Sequence, residues 1–251
     1  MIIYLLTGLD TMHALLPIKN LSNAKERLSN LLDKTRRQGL FRAMTDDVIS
    51  VLIKHPGISE VAIISDDPFA ARLAKKHKAG LFTERALRVR GLNAVIQATV
   101  SRLALRQIDN VMIIHADLPL INATNLSKLI SMHNNFDGPR LTLAPDRHRN
   151  GTNCLLCNPA SAFTFQYGKD SFRNHCAEAN SLRFSIQVLD DPEIGCDIDY
   201  PQDVTHFLDL SKGGTSTSTG KYLCKNGITH TFIRNSYKQT SPQGQHYERV
   251  S

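Results

Sequence analysis

Three cations crowd one short stretch near the amino end: Lys19 after Pro17-Ile18, then Lys25 and Arg27 within Ala24-Lys25-Glu26-Arg27-Leu28. Such a cluster can neutralise a polyphosphate, with Arg27 able to take two oxygens at once and the lysines acting as point charges. It reads equally as a solvated basic loop. Carboxylates recur further on. Asp117, in His115-Ala-Asp-Leu-Pro119, follows an apolar run and is suited either to holding magnesium against phosphates or to capping a turn. Asp197 and Asp199 stand at i and i+2, which on an extended segment places both on one face, as an oxygen shell for a hard cation requires. A solvated acidic turn before a helix opened by Pro201 would carry the same residues. A fourth group is Gly151-Thr152-Asn153 with Tyr167-Gly168-Lys169-Asp170-Ser171-Phe172 and His175. Gly168 lets backbone approach an anion, and Ser171 falls at the start of an expected helix whose amides favour phosphate or carboxylate. Asp170 or Ser171 would also serve as a plain helix cap, and His175 as a packed helix residue.

Apolar runs bounded by turn signals alternate with helical-period segments, the pattern of a doubly wound α/β sheet whose later strands form a mixed sheet or a lid. Strands are expected at 13–17, 60–65, 81–83, 110–116, 140–144, from about 152, and at 184–189. Asp33 caps an expected helix reaching His55, with Leu40, Met44, Val48, Val51 and Leu52 at helical spacing. Further helices are expected at 68–78, 92–107, 123–133, 170–180 and 201–210. Ligands of such sheets gather beyond the carboxyl ends of the strands, where the four groups above are expected to fall. After Leu210, the stretch 213–220 reads as a low-complexity linker, and Tyr222–Lys225 and Ile228–Ile233 flank Asn226-Gly227 as a marginal hairpin in an otherwise disordered tail.

The 251 residues, 41% hydrophobic with 14 glycines and 10 prolines, suit one large domain and exclude collagen-like or wholly disordered classes. No apolar run approaches the ~20 residues of a membrane span, and Met1–Leu6 is too short for a signal-peptide core, so the chain reads as cytoplasmic. Of the formal charge of +7, the last 41 residues carry six basic groups against one acidic, leaving +2 for the rest. The body therefore lacks a nucleic-acid footprint. Five cysteines form an odd set, and Cys154-x-x-Cys157 has no second pair to complete a zinc site.

Taken in order, Pro17-x-Lys19, Ala24-Lys25-x-Arg27-Leu28, Leu92-Asn93, His115-Ala-Asp-Leu-Pro119, Gly151-Thr-Asn153, Tyr167-Gly-x-x-Ser171-Phe-x-x-His175 and Asp197-Ile-Asp199-x-Pro201-x-Asp203 resemble the 2-phospho-L-lactate guanylyltransferase family, from about Met12 to Leu210. The resemblance implies a Rossmann-like nucleotidyltransferase fold with a mostly parallel central sheet and helices on both faces. It implies GTP as co-substrate, magnesium, and an acceptor among 2-phospho-L-lactate, phosphoenolpyruvate and 3-phospho-D-glycerate, in making coenzyme F-420. Asp117, Asp197 and Asp199 would hold the metal. Pro17, Lys19, Lys25 and Arg27 would form the phosphate loop with Asn93 near the nucleotide, and Thr152, Gly168 and Ser171 would contact the acceptor. Asp117, Lys25 and Arg27 would carry the catalysis. By this reading 1–11 is an extension, with Met12 as an alternative start, 12–210 the catalytic domain and 211–251 a flexible basic tail; a homo-oligomer is left open. Two other readings stand beside it: a glycosyltransferase holding a nucleotide-sugar metal on Asp197-x-Asp199, and a nucleic-acid binder acting through the tail.

Overall fold

The protein's structure, a computed structural model, describes residues 12–213 and 215–229. The readings made for residues 1–11 and for Ile228–Ile233 as a strand fall wholly or mostly outside these.

Seven strands form one sheet: β1 (Met12–Pro17), β2 (Ile58–Ile64), β3 (Gly80–Phe82), β4 (Val111–Ile114), β5 (Arg140–Pro145), β6 (Thr152–Asn158) and β7 (Ser185–Val188). Their order is β3-β2-β1-β4-β6-β5-β7, and every pairing is parallel except those made by β6, which runs antiparallel to β4 and β5. The mostly parallel sheet is thus mixed through one strand. That reversal matters for the site. Because Ile114 pairs with Cys154, the amino-terminal residues Thr152 and Asn153 of β6 arrive beside the carboxyl ends of β1 and β4.

Side chains alternate between two apolar layers with the strand period of two. Ala14, Leu16, Met112, Ile114, Cys154 and Leu156 face one layer, and Leu15, Val111, Ile113, Leu155 and Cys157 face the other. The first layer is covered by α1 (Lys34–Lys54), α2 (Pro68–His77), α5 (Ala123–Asn134), α7 (Pro201–Leu210) and α8 (Ser218–Lys225). Against the second lie the short α3 (Glu84–Leu87), α4 (Leu92–Ala104) and α6 (Ser171–Ser181). Cys154 and Cys157 therefore point to opposite faces, both buried and free, which rules out joint use of the pair as a metal clip.

Local chemistry sets the helix ends. Asp33 accepts the Arg36 N–H at 2.8 Å to open α1, and Asp67 accepts the Phe69 N–H at 2.7 Å ahead of Pro68 to open α2. Asn122 and Asn125 close a reciprocal capping box at α5.

The segment after Leu210 departs from the expected linker and hairpin. Tyr222–Lys225 is helical, as the last half of α8. Asp47 on α1 accepts the Ser218 N–H, the Thr219 N–H and the Thr219 hydroxyl at 2.6, 2.8 and 2.6 Å, satisfying the first turn of that helix. Leu223 is fully buried against α1. Gly39 makes the contact possible, since a Cβ there would stand 2.3 Å from the Tyr222 hydroxyl oxygen. Asn226-Gly227 is then the end of a helix, with Gly227 at φ +70°, and not a hairpin turn.

Candidate active site

The loop after β1 is built to turn one lysine inward. Single 3-10 turns at Leu21–Asn23 and Glu26–Leu28 bury Leu21, Ala24 and Leu28, and Asp67 accepts the Leu21 N–H at 2.7 Å, tying the loop to the end of β2. Between the turns Lys25 takes a left-handed backbone conformation, φ +53°, a placement a non-glycine residue adopts at a cost only where its surroundings hold it. Its side chain is 4% exposed, and its ammonium donates to Asp117 Oδ2 at 2.6 Å and to Asp199 Oδ1 at 2.7 Å. Arg27, 59% exposed, donates to Asp199 Oδ2 at 3.2 Å and lies 4.8 Å above the ring of Tyr200. The two cations thus divide the work: Lys25 binds the carboxylates from within, whereas Arg27 keeps most of its guanidinium open to solvent and ligand. Lys19 is exposed on the same loop, close enough that its charge is felt by His115 and Asp117.

Two carboxylates bond this ammonium, and a third, Asp197, lies near enough to feel its charge. Burial alone would raise Asp117, but Lys25 and the other nearby cations outweigh it and hold the carboxyl down at about 2. Asp197 receives less compensation. Burial and the negative charge of Asp117 push it up to about 7 despite Lys25, and Asn153 Nδ2 donates to its Oδ1 at 3.4 Å. For Lys25 the burial penalty is overcome by the two aspartates, which raise its pKa above the usual lysine value. Asp203, quoted in the sequence only as part of a motif, proves to hold the acidic turn: its Oδ2 accepts the N–H groups of Asp199 and Tyr200 at 2.8 and 2.7 Å, and its Oδ1 accepts from Arg147 at 2.5 Å. The signal for this role was its place in the first turn of a helix opened by Pro201.

The residue pattern bears on a metal in two ways. Among the described residues no group of three His, Cys, Asp or Glu side chains stands ready to hold an ion. Asp117, Asp197 and Asp199 are neighbours, but the ammonium of Lys25 joins Asp117 to Asp199. On the other side, Asp117 and Asp199 already converge on one cation, and the buried Oδ1 of Asp117 has no hydrogen-bond partner. With Lys25 and Arg27 already on Asp199, the unpartnered Oδ1 of Asp117 and the poorly compensated Asp197 are the oxygens that fit a hard cation.

Opposite lies the second cluster. Thr152 and Ser171 are buried face to face, with the Ser171 hydroxyl donating to Thr152 Oγ1 at 3.4 Å. His175, also buried, accepts the Gln166 N–H on Nε2 at 3.0 Å, so its proton sits on Nδ1 and is donated to Thr152 Oγ1 at 3.0 Å. Burial and the neighbouring His115 hold this imidazole down at about 4, hence neutral. Gly168, at φ +128° with nothing within 4 Å of where a Cβ would point, offers open backbone. Asn93, at the start of α4, spends its carboxamide on the loop of this cluster: Nδ2 donates to the Tyr167 carbonyl at 3.0 Å and Oδ1 accepts the Tyr167 N–H at 2.7 Å. The Tyr167 ring lies between His115 and His175, with centroids 5.5 and 4.8 Å away. These ring contacts, and the Asn93 pairing, carried no signal in the sequence. A separate groove of about 590 Å³ between α1, α2 and α8 contains none of these residues.

Residues 12–242 match the family model described as guanylyl transferase CofC like, so the match continues past Leu210. A phosphoenolpyruvate guanylyltransferase of Rubrobacter xylanophilus is 32% identical over 200 residues, 80% of this chain and 94% of that protein. A 2-phospho-L-lactate guanylyltransferase of Methanosphaera stadtmanae is 28% identical over 211 residues, 83% of this chain and 87% of its own. Among solved structures, one from Desulfovibrio desulfuricans G20 described as a nucleotide-diphospho-sugar transferase superposes with a TM-score of 0.71 at 14% identity, covering 88% of this chain and 97% of its own. A nucleotidyl transferase of Methanothermobacter gives 0.55 at 10% identity, over 80% and 97%. These two likenesses bear on the fold.

Proposed function

This chain belongs to the CofC-like guanylyl transferase family, and from that membership we propose that it moves GMP from GTP onto the phosphate of a small phosphorylated acid, releasing pyrophosphate, as a step in building coenzyme F-420. The acceptor is 2-phospho-L-lactate, phosphoenolpyruvate or 3-phospho-D-glycerate. The observation that carries the reading to particular residues is the Lys25 bridge between Asp117 and Asp199 at the carboxyl ends of the strands, with Arg27 open beside it.

A phosphate monoester has its second pKa near ~6 and is largely a dianion at neutral pH. The acceptor oxygen is therefore already a nucleophile, and no side chain is needed to take a proton from it. What the protein supplies is position and charge: two polyanions must be brought into line while negative charge spreads over the transferring phosphoryl group. Lys19 and Arg27, exposed on the first loop, meet the triphosphate, and Lys25 is held at the centre by its two aspartates. The exposed backbone at Gly168 receives the acceptor, with Ser171 and Thr152 fixing the floor beneath it. Asp117, Asp199 and Asp197 would hold magnesium, which neutralises phosphate charge when bound. No helix among the described residues is long and apolar enough to cross a membrane, and a cytoplasmic setting suits these small anionic substrates.

The test is pyrophosphate release with magnesium, crossing four nucleoside triphosphates with the three acids. Pyrophosphate with GTP and one acid is expected. Turnover of none of the three, or release of a nucleoside diphosphate in place of pyrophosphate, would overturn the reading.

A further inference from the structure

The loop that carries Gln166, Tyr167 and Gly168 has no regular secondary structure, so its backbone must find partners elsewhere. It finds them in two side chains from different helices, α6 and α4. His175 takes the Gln166 N–H. Asn93, 74 residues away in sequence, pairs with both the N–H and the C=O of Tyr167, as a neighbouring strand would.

We propose that Asn93 is a positioning residue that sets the affinity for the phosphorylated acid by clipping the acceptor loop to α4, and that it does not act through the nucleotide. The inference rests on the guanylyl-transfer reading above. Its Oδ1 and Nδ2 are both engaged, at 2.7 and 3.0 Å, so the carboxamide is already oriented by the loop. What it orients is chemically relevant on both sides. Gly168, the next residue, needs its left-handed φ of +128° to keep backbone facing open space, and Ser171 opens α6 three residues later. The ring of the clipped tyrosine packs against His115, two residues before Asp117, and against His175, which holds Thr152. Releasing Tyr167 would therefore shift the acceptor loop against the carboxylate centre, and a displacement of that order at a reacting centre is costly.

The experiment uses the full chain with Asn93→Ala, which removes both bonds, and Asn93→Asp, which keeps the acceptor for the Tyr167 N–H but sets an oxygen against its carbonyl. Three quantities are read: KM for the acid and for GTP from pyrophosphate release, the Kd of a fluorescent GTP analogue, and hydrogen exchange at the Tyr167 amide. We expect acid KM to rise about tenfold or more in Asn93→Ala. The rise should be smaller in Asn93→Asp, with nucleotide Kd within about twofold of wild type in both and Tyr167 exchange accelerated in Asn93→Ala. Weakened nucleotide binding with unchanged acid KM would make Asn93 a nucleotide contact and overturn the proposal. So would equal losses in every parameter with a lowered melting temperature, which would mark a purely structural role. Wild-type protein that binds GTP but turns over none of the three acids would defeat the guanylyl-transfer reading and this inference with it; normal wild-type turnover with unaltered acid KM in both variants would defeat the inference alone.

Discussion

Lys25 shows what a residue type reveals and what it conceals. Its position in a charged crevice was legible from its place among cations after the first strand, as was that of Asp117 after the central one. The bond between them was not, because it spans 92 residues and depends on a left-handed backbone that no local pattern announces. The pairing makes Asp117→Asn an informative change. It keeps the side-chain shape and leaves Lys25 bonded to Asp199, so the fold should lose no more than about 1–2 kcal/mol. Turnover should fall on the order of 100-fold or more, the usual cost of removing a charge-stabilising group beside a reacting phosphate. Measuring kcat and melting temperature together checks this; near-normal turnover, or collapse of the fold, contradicts it. His175 yields a pH prediction. Its folded-state pKa of about 4 lies below the unfolded value of ~6.5, so the unfolded chain takes up a proton before the native one does. The stabilisation from keeping it neutral is complete above pH 6.5 and is lost as pH falls from there toward 4, by roughly 3 kcal/mol in total. Urea unfolding at pH 7 and pH 5 should show about 2 kcal/mol of this loss in wild type and a smaller one in His175→Gln; equal losses would contradict the assignment.

At the scale of elements, periodicity and caps were sufficient where the signal is local. Asp33 opened α1 and Pro68 stood first in α2, as their residue types require. Asn226-Gly227 shows the limit. A hairpin turn and a helix end both ask for a residue at positive φ, so the dipeptide alone cannot separate them. What decides is Asp47 waiting on α1 to receive the first turn of α8, and the missing side chain at Gly39. Gly39→Ala should therefore undock α8: the helix propensity gained in α1, ~1 kcal/mol, is set against a methyl group driven into Tyr222. Limited proteolysis and hydrogen exchange across 215–229 should show faster cleavage and exchange than in wild type. Unchanged protection would mean that Tyr222 swings aside at no cost. The sequence view of everything after Leu210 as a flexible tail changes accordingly for 215–229, where α8 packs on α1 as part of the folded body.

For the whole molecule, alternation of strands and helices conveyed a layered α/β architecture, and the carboxyl ends of β1 and β4 hold the charged residues as such architectures lead one to expect. A mixed sheet among the later strands was legible, but not which strand reverses, because an apolar run reads the same in either sense. The antiparallel course of β6 is what delivers Thr152 and Asn153 to the same crevice as Lys25 and Asp117, bringing the cluster proposed for the acceptor beside the one proposed for the triphosphate. The proposed reaction joins the α-phosphorus of GTP to the phosphate of an acid in this crevice. Phosphorus NMR of a reaction with GTP, magnesium and phosphoenolpyruvate, with the two other acids in parallel, tests it most directly. For one acid the monoester singlet should give way to a pair of mutually coupled diphosphate doublets as pyrophosphate appears. A monoester singlet that persists for all three acids while GTP is consumed to GDP or orthophosphate would contradict it.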